Sequence, residues 1–312
     1  MAKLLVTGGA GFIGSNTVDE LLNEGHEVRV FDNFVTGKKG NLSQFLREIE
    51  VIEGDIRNLD VVRKAVKGMQ YVVHLAGLSS VSLSVKDPLN MNEVNITGTL
   101  NVFTAARDGG VRRVVYSSSS SVYGDNPTLP KREDMLPEPR SPYAVSKLAG
   151  EYYCRVFNQV YGLETVSLRY FNIYGKRQNP FSQYAAVIPS FISAMVNEKR
   201  PVIFGDGEQS RDFTFIEDCV QANIKACFAP GIEGKTFNIS YGDRVTVNEL
   251  FRKIRGLLDK DGIEPVYVAP RLGDVKHSLA DTSEARALLG FKPNHCIETG
   301  LKKALEWYYT NL

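Results

Sequence analysis

The chain has little excess of charge of either sign, since 37 Lys and Arg against 36 Asp and Glu leave a formal +1. Neither a nucleic-acid footprint nor a polybasic membrane surface shows in those totals, so partners must be read from local sites. Cysteine is scarce: Cys154, Cys219, Cys227 and Cys296 are too scattered for a disulfide framework and form no metal-type pair, which fits a reducing cytoplasm. Neither His74 nor His277 has a second histidine at ligand spacing, so both are expected to pack or hydrogen-bond and no metal is expected. No apolar run approaches the ~20 residues of a membrane span, and Leu4-Leu5-Val6 is too short for a signal-peptide core. A soluble, unprocessed chain is expected, without internal repeats.

What is present is a repeated alternation. Short apolar or β-branched runs at Lys3 to Thr7, Glu27 to Phe31, Val51 to Glu53, Tyr71 to Ala76, Arg113 to Ser118 and Thr165 to Tyr170 are separated by longer helical stretches. Parallel strands need crossover helices, so this pattern predicts an α/β fold with a doubly wound parallel sheet over residues 1–172. Residues 173–312 are expected to form a smaller substrate domain, with segments near 213–240 packing back onto the first. Thr246 with Glu249 predicts a capping-box helix start, Asp281 with Glu284 a shorter helix, and Ile297 to Tyr309 a last helix packed by Trp307, Tyr308 and Tyr309.

The first strand runs into Gly8-Gly9-Ala10-Gly11-Phe12-Ile13-Gly14 and then a helical pattern. Side chains at Gly8 and Gly11 would block a tight turn and the approach of a pyrophosphate, and Gly14 allows close helix packing. Asp32, at the end of the second strand, suits the hydroxyls of an adenosine ribose and would repel a 2′-phosphate, which favours NAD over NADP despite Lys38 and Lys39 nearby. Asn33 beside it, Asp55 and Ile56 after the third strand, and Leu75 and Ala76 at the end of the fourth complete the expected cofactor contacts.

Tyr143 and Lys147 are four apart at the start of an apparent helix, one turn apart on one face. A phenol with a pKa of ~10 becomes a usable base when an ammonium and a cationic nicotinamide favour its anion. The serine run Ser117 to Ser121 places hydroxyls at the carboxyl edge of the sheet, where ligands of open α/β folds bind. Together the glycine turn, Asp32, the serine strand and the Tyr143/Lys147 pair resemble an extended short-chain dehydrogenase/reductase of the nucleotide-sugar 4-epimerase group. The resemblance implies bound NAD, Tyr143 as base, Lys147 as the residue that tunes it and holds the nicotinamide ribose, and Ser119 as the hydroxyl partner of the sugar oxygen. Related dehydratases carry an acidic pair directly after that hydroxyl, whereas this chain has Ser120 and Ser121.

The same resemblance implies a UDP-sugar site: Asn172, Arg211 and Arg271 on the diphosphate, Asp274 on the nucleotide ribose, and Val187 and Ser278 edging the pocket. Guanidinium forks suit phosphate oxygens. A small residue at 278 leaves room for an N-acetyl group, and Asn179 to Pro189 resembles the N-acetylhexosamine-handling branch. The resemblance also implies a homodimer formed through the helices near Asn92 to Arg107 and Tyr143 to Tyr161. A decarboxylase of the same family, or a non-catalytic dinucleotide-binding sensor, is the alternative.

Overall fold

The computed structural model describes residues 1–180, 186–270 and 275–311. The six strands form as β1 (Lys3–Thr7), β2 (Glu27–Asp32), β3 (Ile49–Glu53), β4 (Tyr71–His74), β5 (Arg113–Ser119) and β6 (Glu164–Tyr170), and Thr236–Ile239 adds a seventh. Their order is Thr236–Ile239, β6, β5, β4, β1, β2, β3, all parallel. The chain starts in the middle of the sheet, winds outward through β2 and β3, and returns to the other side of β1 at β4. The crevice where the winding reverses is where ligands of such sheets bind.

Alternate side chains of each strand enter opposite cores. Leu4 and Val6 of β1, Val73 of β4 and Val115 of β5 pack beneath the helices Phe12–Asn23 (here α1) and Ile216–Phe228. Leu5, Val72, Val114 and Tyr116 pack beneath the helices Leu59–Val66, Gly98–Asp108 and Pro142–Tyr161. This two-sided burial is why the strands read as nearly continuous apolar runs. β4 stops at His74, two residues short of the expected end, because the Ala76 N–H turns to the Thr7 hydroxyl at 3.2 Å instead of the ladder.

After Asn172 the elements are short. Ser210–Asp212 pairs antiparallel with Arg244–Thr246, and Ile173–Tyr174 pairs in parallel with Thr214–Phe215. The capping box closes as expected: Thr246 Oγ1 accepts from Glu249 N at 3.1 Å, and Glu249 Oε2 accepts from Thr246 N at 2.8 Å. The next helix spans Ser283–Leu288 with Thr282, not Asp281, at its cap, because the Asp281 carboxylate is taken up by the N–H and hydroxyl of Ser283. In the last helix, Ile297–Asn311, Tyr308 is buried but Tyr309 stays in solvent at 62% exposure, so it does not pack the helix. Among the described residues no helix is long and apolar enough to cross a membrane.

Candidate active site

One cleft of ≈ 700 Å³ runs along the carboxyl edge of the sheet, from the glycine turn past the serine strand to Ser278. At its first end Gly11 caps α1 without a side-chain hydrogen bond, leaving the first N–H groups of the helix for an anionic ligand. Gly8 has φ +69°, and a Cβ there would lie 2.7 Å from Ala76 N, so only glycine lets the turn approach β4 so closely. At Gly14 a Cβ would stand 2.1 Å from Gly8 O, so the first turn of the helix rests directly on the glycine turn.

Asp32 is 7% exposed, and its two oxygens accept from Ala10 N at 2.9 Å and Phe34 N at 2.8 Å. Burial raises its pKa, while those N–H groups oppose the shift. Its remaining lone pairs suit ribose hydroxyls. A 2′-phosphate has little to bind beside it: Lys39 is held by Glu53 at 3.1 Å over the Phe34 ring, and a Cβ on Gly37 would lie 2.9 Å from both Asp32 oxygens. Phe12, Ile13, Asn33, Ile56, Leu75 and Ala76 line this half of the cleft. Asp55 is not among the described lining residues. Its carboxylate is taken by Arg57 at 2.7 and 2.9 Å and by Asn33 at 3.0 Å, and Arg57 holds its pKa down at about 2. Arg57 itself reaches the cleft, a residue the motif reading passed over.

At mid-cleft the helix Pro142–Tyr161 is capped by Ser141, whose hydroxyl accepts from Ala144 N at 3.1 Å, with Pro142 in the first turn. Tyr143 and Lys147 therefore face β5. The Ser119 hydroxyl lies beside Tyr143; burial raises the Tyr143 pKa and that hydroxyl opposes the rise. The Ser121 N–H donates to Ser119 Oγ at 3.2 Å, so the Ser119 proton is directed elsewhere, toward Tyr143 or a ligand oxygen. The Lys147 Nζ donates to Ser117 O at 2.8 Å and lies 5.9 Å from the Tyr143 ring centroid; burial brings its pKa down to about 8. His74 is bridged between the hydroxyls of Thr7 at 2.7 Å and Thr99 at 3.0 Å, and burial beside Lys147 depresses its pKa to about 3, keeping it neutral. Asn95, also passed over, sits in a π-helical turn and ties Leu78 to Ser146 through bonds of 2.8, 2.9 and 3.1 Å.

At the far end Asn172, at φ +37°, donates to Asp212 O at 2.9 Å and to Ser278 Oγ at 3.4 Å. Ser278 is 8% exposed and lines the cleft, as does Arg211, whose Nη1 donates to Ser210 O and Lys276 O at 3.0 and 3.1 Å. Asp212 knots this end together, accepting from Gly242 N at 3.2 Å and Ala280 N at 3.0 Å, and burial lifts its carboxyl to about 7. Val187 opens the helix Val187–Val196 and is not among the described lining residues, because its neighbours Ile188, Phe191 and Ile192 carry that helix into the core. Arg271 and Asp274 lie outside the described residues, as does 181–185 of the stretch from Asn179 to Pro189. Lys131 and Arg140 also line the cleft; the Lys131 ammonium donates to Asn126 O, with Asp125 and Glu138 nearby. Among the described residues no cluster of His, Cys, Asp or Glu could hold a metal ion.

An open helix N-terminus for a pyrophosphate, a carboxylate for ribose hydroxyls and a phenol–lysine pair beyond them are what a dinucleotide redox cofactor requires. The description of the NAD dependent epimerase/dehydratase family matches residues 4–240. A putative UDP-glucose 4-epimerase of Methanocaldococcus jannaschii is 38% identical over 310 residues, covering 99% of each chain. The solved UDP-N-acetylglucosamine 4-epimerase of Methanobrevibacter ruminantium M1, in complex with UDP-N-acetylmuramic acid, superimposes with a TM-score of 0.95 at 41% identity, over 100% of this chain and 99% of that one. The UDP-glucose 4-epimerase of Thermus thermophilus, solved in complex with NAD, gives 0.91 at 33% identity, over 99% and 100%. A UDP-N-acetyl-alpha-D-glucosaminuronate decarboxylase of Bacillus cytotoxicus is also similar, at 32% identity over 98% of this chain and 97% of that one. The protein belongs to the NAD dependent epimerase/dehydratase family, among the extended short-chain dehydrogenase/reductases. Its cofactor is NAD.

Proposed function

We propose that the protein is a 4-epimerase of UDP-sugars that interconverts UDP-N-acetylglucosamine and UDP-N-acetylgalactosamine, and UDP-glucose and UDP-galactose as well. The observation that carries the reading is that hydroxyls and no carboxylate stand beside the proposed base: Ser119, Ser120, Ser121 and Tyr143 line that part of the cleft, and Asp32 at the ribose end is the sole carboxylate among the described lining residues. Elimination of water needs an acid and a base besides the tyrosine; oxidation and re-reduction at one carbon do not.

NAD, when bound, supplies the acceptor for the C4 hydride and gives it back. Tyr143 takes the proton of the 4-hydroxyl while Ser119 hydrogen-bonds the same oxygen, and the positive charge of Lys147 favours the phenolate. The 4-keto sugar must then turn over inside the cleft without leaving, which Asn172, Arg211, Arg271 and Asp274 secure by holding the UDP moiety. Ser278, small and at the cleft wall, supports acceptance of an N-acetyl group. Decarboxylation would require a cationic seat for a sugar carboxylate; Lys131 and Arg140 line the cleft, so the products formed from UDP-glucuronate distinguish that second reading.

Apolar Val145, Tyr152, Val156 and Val160 are 44–66% exposed along one outward face of the helix Pro142–Tyr161, which supports a homodimer built on it; light scattering reads the mass directly. Buried, unpaired Cys154, Cys219 and Cys227 suit the cytoplasm. The deciding experiment incubates NAD-loaded protein with UDP-N-acetylglucosamine, UDP-glucose and UDP-glucuronate and separates the products. The galacto epimers of the first two are expected; carbon dioxide from the third, or no turnover of any, would reject the reading.

A further inference from the structure

Behind the proposed catalytic residues lies an ion pair, Glu151 with Arg169, neither of which is among the described residues lining the cleft. Glu151 follows Lys147 by one helical turn, and both it and Arg169 of β6 have side chains only 5% exposed. Arg169 Nε and Nη2 donate to the two Glu151 oxygens at 2.9 and 2.7 Å, a bidentate fork. The Ser118 hydroxyl donates to the same carboxylate, and Ser118 is the register partner of Arg169 across β5 and β6. Burying two charges is expensive, and apolar residues of similar volume generally serve stability as well or better. The pair therefore calls for a role other than stability.

Geometry supplies one. Residues 143, 147 and 151 recur every four positions, so each meets the end of β5 in turn: Tyr143 at the Ser119 hydroxyl, Lys147 at the Ser117 carbonyl and Glu151 at the Ser118 hydroxyl. The first two contacts must be remade during turnover, because the phenol exchanges a proton and the ammonium shares its donors with the nicotinamide ribose. The Glu151 contact is the one of the three that chemistry leaves alone.

We infer that Glu151, locked by Arg169, is a positioning residue that fixes the register of the helix Pro142–Tyr161 against β5, and so holds Tyr143 and Lys147 over Ser119. This rests on the roles proposed above for those three residues.

The test replaces both charges at once, Glu151→Met with Arg169→Met, so that no unpaired charge is left buried. The expected variant melts at or above the wild-type temperature, retains NAD and keeps KM within about threefold, yet kcat falls roughly 30- to 100-fold. In the NAD-loaded protein the tyrosinate absorbance assigned to residue 143, by its loss in Tyr143→Phe, should titrate at least one pH unit higher than in the unsubstituted protein. That optical readout needs no sugar, so it stands even if wild-type protein turns over none of the UDP-sugars and the 4-epimerase reading fails. Recovery of wild-type kcat and titration in a stable double variant would overturn the positioning role. Should the double variant not fold, Ser118→Ala decides: it cuts only the strand–helix bond, and a three- to tenfold loss of kcat at unchanged melting temperature is expected, whereas unchanged kcat and titration overturn the inference.

Discussion

Lys147→Met separates the charge of the lysine from its shape. Taking the Tyr143 ring centroid, 5.9 Å from the lysine nitrogen, as the seat of the phenolate charge, an effective dielectric constant of about 20 gives about 2.8 kcal/mol of attraction, or about two pKa units. Lys147 is charged at neutral pH because burial brings it down only to about 8. Removing it should raise the pKa of Tyr143 by about two units and lower kcat about 100-fold at pH 7, with rate then climbing about tenfold per pH unit. The gap should narrow above pH 8, where the native lysine starts to lose its own proton. The assay is kcat against pH from 6 to 10 on NAD-loaded protein. A loss by the same factor at every pH would refute the electrostatic reasoning and leave Lys147 a mere tether for the ribose.

The same substitution carries a stability prediction of opposite sign. Folding lowers the lysine pKa from 10.5 to about 8, so the protonated group penalises the fold below about pH 8 and the penalty fades as pH rises toward 10.5. Lys147→Met should gain up to ~3 kcal/mol at pH 7, less ~1 kcal/mol for the hydrogen bond to Ser117 O, and the gain should vanish near pH 10.5. Denaturant titrations at three pH values would show it.

Two more substitutions test the ends of the cleft. Asp32→Ala should lower the NAD content of purified protein and narrow the preference over NADP by ten- to a hundredfold, measured on extracted cofactor; an unchanged preference would shift discrimination to the loop around Gly37. Ser278→Tyr should reduce turnover of UDP-N-acetylglucosamine at least tenfold more than that of UDP-glucose, because a bulky ring overfills the wall the N-acetyl group would face, and equal losses would reject the gate.

The sheet was legible because its strands are covered on both faces, so each one reads as an apolar run bounded by turn residues. The Rossmann turn was equally legible, since the close approach of Gly8 to Ala76 and of Gly14 to Gly8 tolerates no side chain. Asp55 and Val187 illustrate what sequence order hides. Each lies next to a cleft-lining or core-forming residue, but a local ion pair with Arg57 in one case and the start of a helix in the other turns the side chain elsewhere. Asp212 and Asn95 carried no motif: one is legible only once three loops converge on it, the other only through a π-helical turn. Arg169 did leave a signal, a charge next to the end of the strand Thr165 to Tyr170 between Leu168 and Tyr170, and Glu151 repeats the four-residue spacing of Tyr143 and Lys147.

That spacing ties the proposed chemistry to the proposed assembly. In the helix Pro142–Tyr161 the inward row of Tyr143, Lys147 and Glu151 meets β5, and the outward row of Val145, Tyr152, Val156 and Val160 faces solvent in the single chain. A rigid helix cannot rotate to improve one row without moving the other, since every residue turns by about 100° relative to the last. The buried Glu151–Arg169 fork resists that rotation from inside, and a second copy packed on the outer row would resist it from outside. Loss of a dimer contact, unlike a change at the cleft wall, would therefore act on the alignment of Tyr143 with the sugar oxygen before it acted on the affinity for the UDP-sugar.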